Sequence, residues 1–96
     1  MIIDPSVLEN ICTRHDVARL RVFGSVLRGE DRPDSDIDLL IEFTKPKSLL
    51  TLVGIEQEFE DALGRKVDLL TPAALSPYLR DRILREARVL YERPGA

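Results

Sequence analysis

The segment that decides the fold is GSVLRGEDRPDSDIDLL, residues 24–40. The residues before it, 17–23, alternate and are rich in β-branched and aromatic side chains, which is typical of a strand. Residues 29–35 contain glycine, proline, serine and aspartates, so they indicate a loop. Apolar residues then alternate over 37–43, which predicts a second strand. The polar residues of the segment therefore lie where one strand ends and the next begins.

Helical patterns surround these two strands. Residues 4–5 are a capping aspartate followed by proline, which predicts a helix to about Arg14. An apolar stripe predicts the longest helix from near Ser48, with Gly64 just past its end. A serine-proline pair at 76–77 predicts the start of a last helix. We expect four of its apolar side chains to face the core: Leu79, Ile83, Leu84 and Ala87.

The rest of the chain adds one strand and a short apolar end. Residues 67–70 predict a short buried strand, followed by a single turn at Thr71-Pro72. Residues 89–91 are apolar, and the pattern leaves helix and strand open. Helices that alternate with strands predict an α/β fold, a small mixed β-sheet of three to four strands packed against about four helices. A length of 96 residues predicts a single domain, 1–96.

Composition and charge narrow the function classes. Fourteen Lys and Arg against seventeen Asp and Glu give a net charge of -3, which argues against binding a long nucleic acid through its phosphates. One cysteine and one histidine exclude a disulfide framework and a zinc site built from these residue types. We expect Cys12 in the core and His15 at the surface as a cap. With no apparent targeting or membrane-spanning segment, we expect a cytoplasmic protein that does not bind membranes.

Asp36 and Asp38 are the first candidate functional residues. Side chains two apart leave the same face of a strand, roughly 6.6 Å apart along it. At that separation two carboxylates repel by roughly 2 to 3 kcal/mol at an effective dielectric of ~20, and aspartate is disfavoured in strands. Leu40 follows on the same face, so we expect the pair at the rim of a partly apolar surface. A solvated outer face is the alternative.

Asp68 repeats this pattern in the strand 67–70, with Leu70 following it on the same face. Carboxylates on two adjacent strands can form a cluster. Mg²⁺ and Mn²⁺ prefer such oxygen ligands and fill their other positions with water and substrate phosphate. The pattern therefore indicates a metal site for phosphate chemistry. A solvated or salt-bridged strand end is the other interpretation that the spacing leaves open.

Gly24 and Ser25 are candidates for binding a phosphate group. They follow a strand where a helical turn can begin, so backbone N–H groups there can point at an anion. Glycine permits close approach and serine adds a hydroxyl donor. Arg28 can neutralise a phosphate. The pattern is also typical of an ordinary turn followed by an exposed arginine.

Taken together, these motifs resemble the minimal nucleotidyltransferases, small members of the DNA polymerase β-like superfamily. The signature consists of Gly-Ser at 24–25, Arg-Gly at 28–29 and SDIDLL at 35–40. VDLL at 67–70 resembles the strand with the family's third acidic residue, and ILREARVLYE at 83–92 resembles its last helix. The resemblance covers nearly the whole chain and implies the nucleotidyltransferase fold.

The resemblance also implies a reaction, the transfer of a nucleoside monophosphate from a nucleoside triphosphate to a hydroxyl group. The family's triphosphate-binding positions match Gly24 and Ser25. Its ligands for two Mg²⁺ ions match Asp36 and Asp38, and Asp68 matches the ligand beside the attacking hydroxyl, with Mn²⁺ as a substitute metal. Two such ions can stabilise both the attacking and the leaving oxygen while the protein positions the reactants.

Small members of this family resemble the antitoxin half of a toxin–antitoxin pair whose partner is a helical HEPN-type ribonuclease. This implies transfer of AMP from ATP to a hydroxyl, typically of tyrosine, on the toxin. Two alternatives remain open. One is a binding module that blocks the toxin by occlusion without catalysis, and the other is an adenylyltransferase for a small hydroxylated substrate.

Four arginines make the predicted last helix basic: Arg80, Arg82, Arg85 and Arg88. Acidic residues interleave with them, so a solvated, salt-bridged face is the favoured interpretation. A contact with a partner protein or with a nucleotide phosphate remains open.

Overall fold

The computed structural model describes residues 4–24 and 36–95. The elements in chain order are α1 (Pro5–Arg14), β1 (Val17–Phe23), β2 (Ile37–Phe43), α2 (Leu49–Leu63), β3 (Val67–Leu70), a 3₁₀ turn (Pro72–Ala74), α3 (Pro77–Glu86) and β4 (Arg88–Glu92). The three predicted strands are confirmed, and the apolar end at 89–91 belongs to a fourth. The predicted last helix stops at Glu86, so Arg88 lies in β4 and not in a helix.

The four strands form one mixed sheet in the order β3-β2-β1-β4. β1 is antiparallel to β2 and to β4, whereas β2 and β3 are parallel. Parallel neighbours need a crossover connection, and α2 supplies it. The predicted α/β fold with a small mixed sheet is confirmed. Within 4–24 and 36–95 it carries three α-helices and one 3₁₀ turn.

One face of the sheet packs against α1 and α2 and forms the core. Alternate residues of β1 and β2 meet apolar residues of both helices there. The fully buried side chains of this core include Val17, Leu20, Ile37, Leu39, Ile41, Ile55 and Phe59. Cys12 is also fully buried, as predicted, and burial raises the pKa of its thiol to about 12. The thiol therefore acts as a small apolar group.

The helix ends follow the capping chemistry of the sequence. The side chains of Asp4, Ser48 and Ser76 each accept a hydrogen bond from a backbone N–H in the first turn of the helix that follows. Gly64 ends α2 with a φ of 67°, a left-handed conformation that favours glycine. No helix in the described ranges is long and apolar enough to cross a membrane.

The expectation that α3 contributes buried side chains to the core is wrong. No residue of α3 is fully buried, and Leu79, predicted to face inward, is 50% exposed. Ile83, Leu84 and Ala87 are half-buried. The periodicity identified the apolar face of this helix, but Leu79 faces a cavity beside the end of β1 and not a packed layer.

β3 is an edge strand, and α2 holds its outer side. The backbone N–H of Val67 donates to Glu60 Oε2 at 3.0 Å, and that of Leu69 donates to Glu56 Oε2 at 3.0 Å. These two carboxylates satisfy N–H groups that would otherwise be unpaired at the edge of the sheet. Asp68 lies between the two anchored residues, so α2 fixes the position of this aspartate.

Candidate active site

Asp38 and Asp68 lie side by side on neighbouring strands. The parallel pairing of β2 and β3 places the two residues opposite each other in register. Adjacent strands are about 4.8 Å apart, and residues in register share a face of the sheet. Asp38 is half-buried and Asp68 is exposed. The structure therefore brings these two carboxylate-bearing residues together at one end of the sheet.

Asp36 lies just outside the strand that was expected to contain it. β2 begins at Ile37, whose N–H donates to the backbone oxygen of Lys66 at 2.9 Å, and Asp36 precedes it as an exposed residue. Across 4–24 and 36–95, no three His, Cys, Asp or Glu side chains are grouped closely enough to hold a metal ion. The three aspartates therefore share one end of the sheet without a preassembled three-way cluster.

Gly24 makes room for the Asp38 carboxylate. A Cβ atom at position 24 would lie 2.2 Å from Asp38 Oδ2 and 3.1 Å from its Cγ, which is far inside van der Waals contact. Gly24 also has a φ of 77°, which side chains other than glycine rarely adopt. The sequence indicated a glycine that approaches a phosphate. The structure adds a glycine whose missing side chain leaves the space that an acidic side chain occupies.

The face of the sheet that carries Asp38 also holds a buried leucine. Leu40 is fully buried and pairs with Arg21 on β1 and Leu70 on β3. Leu40 therefore follows Asp38 on the same face of the sheet, as expected, and its side chain is buried there. An apolar floor lowers the local dielectric and strengthens electrostatic interactions beside it.

The basic side chains of β1 on this face are held by glutamates. Arg21 Nη1 contacts Glu42 Oε2 at 3.1 Å, and Arg19 Nη1 contacts the same oxygen at 3.2 Å. Arg19 Nε donates to Glu92 Oε2 at 2.6 Å, and this hydrogen bond raises the pKa of the Arg19 guanidinium. Glu42 on β2 therefore forms ion pairs with both arginines of β1, at a distance from Asp38 along the strand.

A cavity of about 330 Å³ opens between the end of β1 and α3. Its sheet side is formed by Phe23, Gly24 and Asp38. Its helix side is formed by four residues: Leu79, Arg82, Ile83 and Glu86. This volume lies at the lower end of the range for small-molecule sites. Ser25 and Arg28, the other predicted nucleotide-binding residues, lie outside the described residues.

The four arginines near the end of the chain differ in their surroundings. Arg80 donates from Nε to the backbone oxygen of Pro72 at 3.0 Å and so holds α3 to the 3₁₀ turn. Arg82 Nε contacts Glu86 Oε1 at 3.2 Å, one turn away. Arg85 and Arg88 are exposed. The expected salt bridge is present for Arg82, which pairs with Glu86. The Arg82 side chain also lines the cavity beside Asp38.

His15 lies in the helical layer, on the other side of the sheet from Asp38. It caps the C-terminus of α1, as predicted, but its side chain is half-buried and not at the surface, because its ring contacts Glu58 on α2. Arg14 Nη2 also contacts Glu58, at 2.8 Å. Partial burial of Glu58 opposes ionisation, but hydrogen bonds from Arg14 and His15 outweigh it and hold the Glu58 pKa below its ordinary value. These residues fasten α1 to α2.

Comparisons with known proteins agree with this fold. The model of the nucleotidyltransferase domain family matches residues 5–90. The chain is 49% identical over 77 residues to MJ0435 of Methanocaldococcus jannaschii, whose name provisionally assigns it as a protein adenylyltransferase, covering 80% of this chain and 83% of that one. It is 37% identical over 87 residues to the protein adenylyltransferase MntA of Thermococcus cleftensis, covering 82% and 88%.

Solved structures show the same architecture. One described provisionally as a minimal nucleotidyltransferase superposes with a TM-score of 0.76 at 43% identity, covering 88% of this chain and 86% of that one. A toxin–antitoxin structure with AMP-PNP gives a TM-score of 0.79 at 18% identity, with 95% and 75% covered. The structure of a tri-AMPylated Shewanella oneidensis HEPN toxin in complex with MNT antitoxin gives a TM-score of 0.69 at 16% identity, covering 94% of this chain and 71% of that one. At these low identities the last two support the fold.

Proposed function

Because this chain belongs to the nucleotidyltransferase domain family, we propose that it transfers AMP from ATP to a hydroxyl group on a partner protein. The observation that carries the proposal is the placement of Asp38 beside Asp68, with Gly24 leaving space at the Asp38 carboxylate. The 37% identity to a protein adenylyltransferase over most of both chains supports the same substrate class.

The donor set at this end of the sheet fits a hard divalent cation. Carboxylate oxygens suit Mg²⁺ or Mn²⁺, and the missing side chain at Gly24 leaves the space that the Asp38 carboxylate occupies at the end of β1. We propose that Asp36, Asp38 and Asp68 hold two such ions, which requires their side chains to turn toward a common centre. When bound, the metal supplies charge neutralisation for the phosphates.

The chain's own residues position the reactants. We propose that Gly24, Ser25 and Arg28 hold the triphosphate of ATP, so that its α-phosphate lies beside Asp38. The acceptor oxygen then bonds to the α-phosphorus, the bond from that phosphorus to the bridging oxygen breaks, and pyrophosphate leaves. Asp68 is exposed at the edge strand, where it can receive the proton of the acceptor hydroxyl.

The partner we propose is a helical HEPN-type toxin in the cytoplasm, where ATP is available. A solved complex of a HEPN toxin bearing AMP with an MNT antitoxin has the same fold in its antitoxin as this chain. The function proposed is therefore that of an antitoxin, which silences a ribonuclease by covalent modification.

The experiment incubates the purified chain, Mg²⁺ and labelled ATP with and without a purified HEPN-type protein from the same organism. We expect the partner to gain AMP and the chain alone to label little, because the described residues are taken up by the sheet and its cover. The Asp36→Asn, Asp38→Asn double variant should lose transfer, whereas Asp61→Asn, which changes an exposed carboxylate of α2, should retain it.

Equal labelling of the partner by wild type and the double variant would remove the catalytic proposal. A second readout follows the ribonuclease activity of the partner. Inhibition that persists without labelling would favour occlusion of the toxin in place of AMP transfer.

A further inference from the structure

The cavity beside Asp38 has a second wall whose role the proposed function does not assign. Four residues of α3 form it: Leu79, Arg82, Ile83 and Glu86. Their spacing of three, four and seven residues places them on one face of the helix. This face is not packed into the core, since no residue of α3 is fully buried. α3 therefore presents two apolar side chains and a charged pair to the same cavity as Asp38.

Arg82 carries the only positive charge among the described residues that line this cavity. The opposite side of the cavity holds the Asp38 carboxylate, which can bind a cation. An anion bound to that cation would lie in the cavity and could contact Arg82 on the other side. A polyphosphate combines these two requirements, because its oxygens bind a divalent cation and also accept hydrogen bonds from a guanidinium.

Arg82 is weakly held in the structure. Its contact with Glu86 Oε1 is 3.2 Å long, and its side chain is 68% exposed. An exposed pair one helical turn apart contributes little to stability, because water screens it. The contact with Glu86 runs from Nε to one carboxylate oxygen, whereas a phosphate group can accept two parallel hydrogen bonds from the planar guanidinium, so a phosphate can replace Glu86 as its partner.

We propose that Arg82 binds the polyphosphate of the nucleotide and that the α3 face is part of the nucleotide site. This inference rests on the proposed function, since it assumes that a nucleoside triphosphate occupies the cavity beside Asp38. Leu79 and Ile83 supply the apolar wall against which the nucleotide lies. Glu86 is the weak partner of Arg82 when no nucleotide is bound.

The test measures the binding of a non-hydrolysable ATP analogue and of adenosine to the full chain with Mg²⁺. Arg82→Gln should weaken binding of the ATP analogue about tenfold, the effect of losing one charge-assisted contact, and leave adenosine binding unchanged. Arg82→Lys should be intermediate, because it keeps the charge but loses the fork. Arg85→Gln is the matched control, since Arg85 lies on the same helix and is exposed but does not line the cavity.

Glu86→Gln separates nucleotide binding from helix stability. It breaks the same ion pair as Arg82→Gln but frees the guanidinium, so the ATP analogue should bind as tightly as to wild type or more tightly. Equal weakening by Glu86→Gln and Arg82→Gln would show that the ion pair acts only on the fold and would overturn the inference.

Two further results would also contradict it. If Arg82→Gln and Arg85→Gln behave alike, or if adenosine binding falls as much as that of the ATP analogue, Arg82 does not contact the phosphates. If wild type binds no nucleotide at all, the proposed function fails and the inference falls with it. These outcomes are distinguishable because only the last one appears in the wild-type titration.

Discussion

Gly24 and Asp38 are sterically coupled, since a Cβ at position 24 would lie 2.2 Å from Asp38 Oδ2. The contact joins the first residue after β1 to the second residue of β2. No other amino acid fits at position 24 unless the Asp38 side chain moves, because the carboxylate occupies the volume that a Cβ would need. The Gly-Ser motif therefore has a role in placing an acidic side chain, in addition to the phosphate binding proposed for it.

The first prediction concerns this coupling. Gly24→Ala should destabilise the protein more than Gly64→Ala, because both positions have a positive φ but only Gly24 has an atom in the way. Strain at a positive φ costs of order 1 kcal/mol, and the clash adds to it. In an Asp38→Ala background the cost of Gly24→Ala should fall to that of Gly64→Ala. Urea unfolding of wild type, the three single variants and the Gly24→Ala, Asp38→Ala double variant measures these costs, and an equal cost of Gly24→Ala in both backgrounds would contradict the coupling.

A second prediction concerns the carboxylate pair. Like charges opposite each other on neighbouring strands destabilise a sheet by roughly 0.2–1 kcal/mol. Asp68→Asn should therefore raise the melting temperature in EDTA by roughly 1 to 8 °C, at about 4 to 8 °C per kcal/mol for a domain of this size. Millimolar Mg²⁺ should stabilise wild type, and the variant should lose most of that gain.

The control for this prediction is Asp61→Asn, which removes a negative charge from α2, away from the sheet end. Thermal scans with EDTA and with Mg²⁺ compare the three proteins. A lower melting temperature of Asp68→Asn in EDTA, together with an undiminished response to Mg²⁺, would show that the carboxylates do not act on a common ion.

A third prediction concerns the anchoring of β3. Glu60→Ala should lower the free energy of unfolding by about 1 kcal/mol, the net value of one hydrogen bond, because it leaves the Val67 N–H without its acceptor. Glu56→Ala should act in the same way on Leu69. Hydrogen exchange should accelerate most at those two amides. Gln57→Ala, on the same helix, is the control, and equal acceleration in that variant would refute the anchoring role.

A fourth prediction follows from the lowered pKa of Glu58. A carboxyl group whose pKa is lower in the folded state stabilises the fold above its unfolded pKa, near 4.5, and this stabilisation is lost as the pH falls through the folded pKa. As the pH falls from about 6 to about 3, the free energy of unfolding should therefore decrease less for Glu58→Gln than for wild type. Glu9→Gln, an exposed change on α1, should follow wild type. Parallel pH curves for wild type and Glu58→Gln would contradict the assignment.

Local patterns predicted most of the fold. The alternation over 17–23 and 37–43 fixed two strands with their core-facing sides, and the caps at Ser48 and Ser76 fixed the starts of two helices. These signals are short-range, so the sequence carries them directly. β4 was left open because a run of three apolar residues after a helix does not distinguish a strand from a further turn.

The missed features all depend on contacts between distant parts of the chain. The spacing of Asp36 and Asp38 identified candidate acidic residues, but the contact of Gly24 with Asp38 requires the register of β1 against β2. Likewise, Glu56 and Glu60 are ordinary helix-surface residues until β3 is placed beside them. Leu79 was expected in the core because periodicity places it on the apolar face of α3. Periodicity does not tell what packs on that face, and Leu79 lines a cavity.

The carboxylates of Glu56 and Glu60 also reduce the number of backbone donors that the β3 border of the sheet offers to another molecule. Among the described strands, β3 and β4 are the borders, and the N–H groups of Val67 and Leu69 on β3 are already taken by side chains. A neighbouring molecule that extends the sheet through its backbone therefore finds these two donors of β3 already taken. Strand addition at the β3 border is hindered in this way, which opposes growth of the sheet into a fibre.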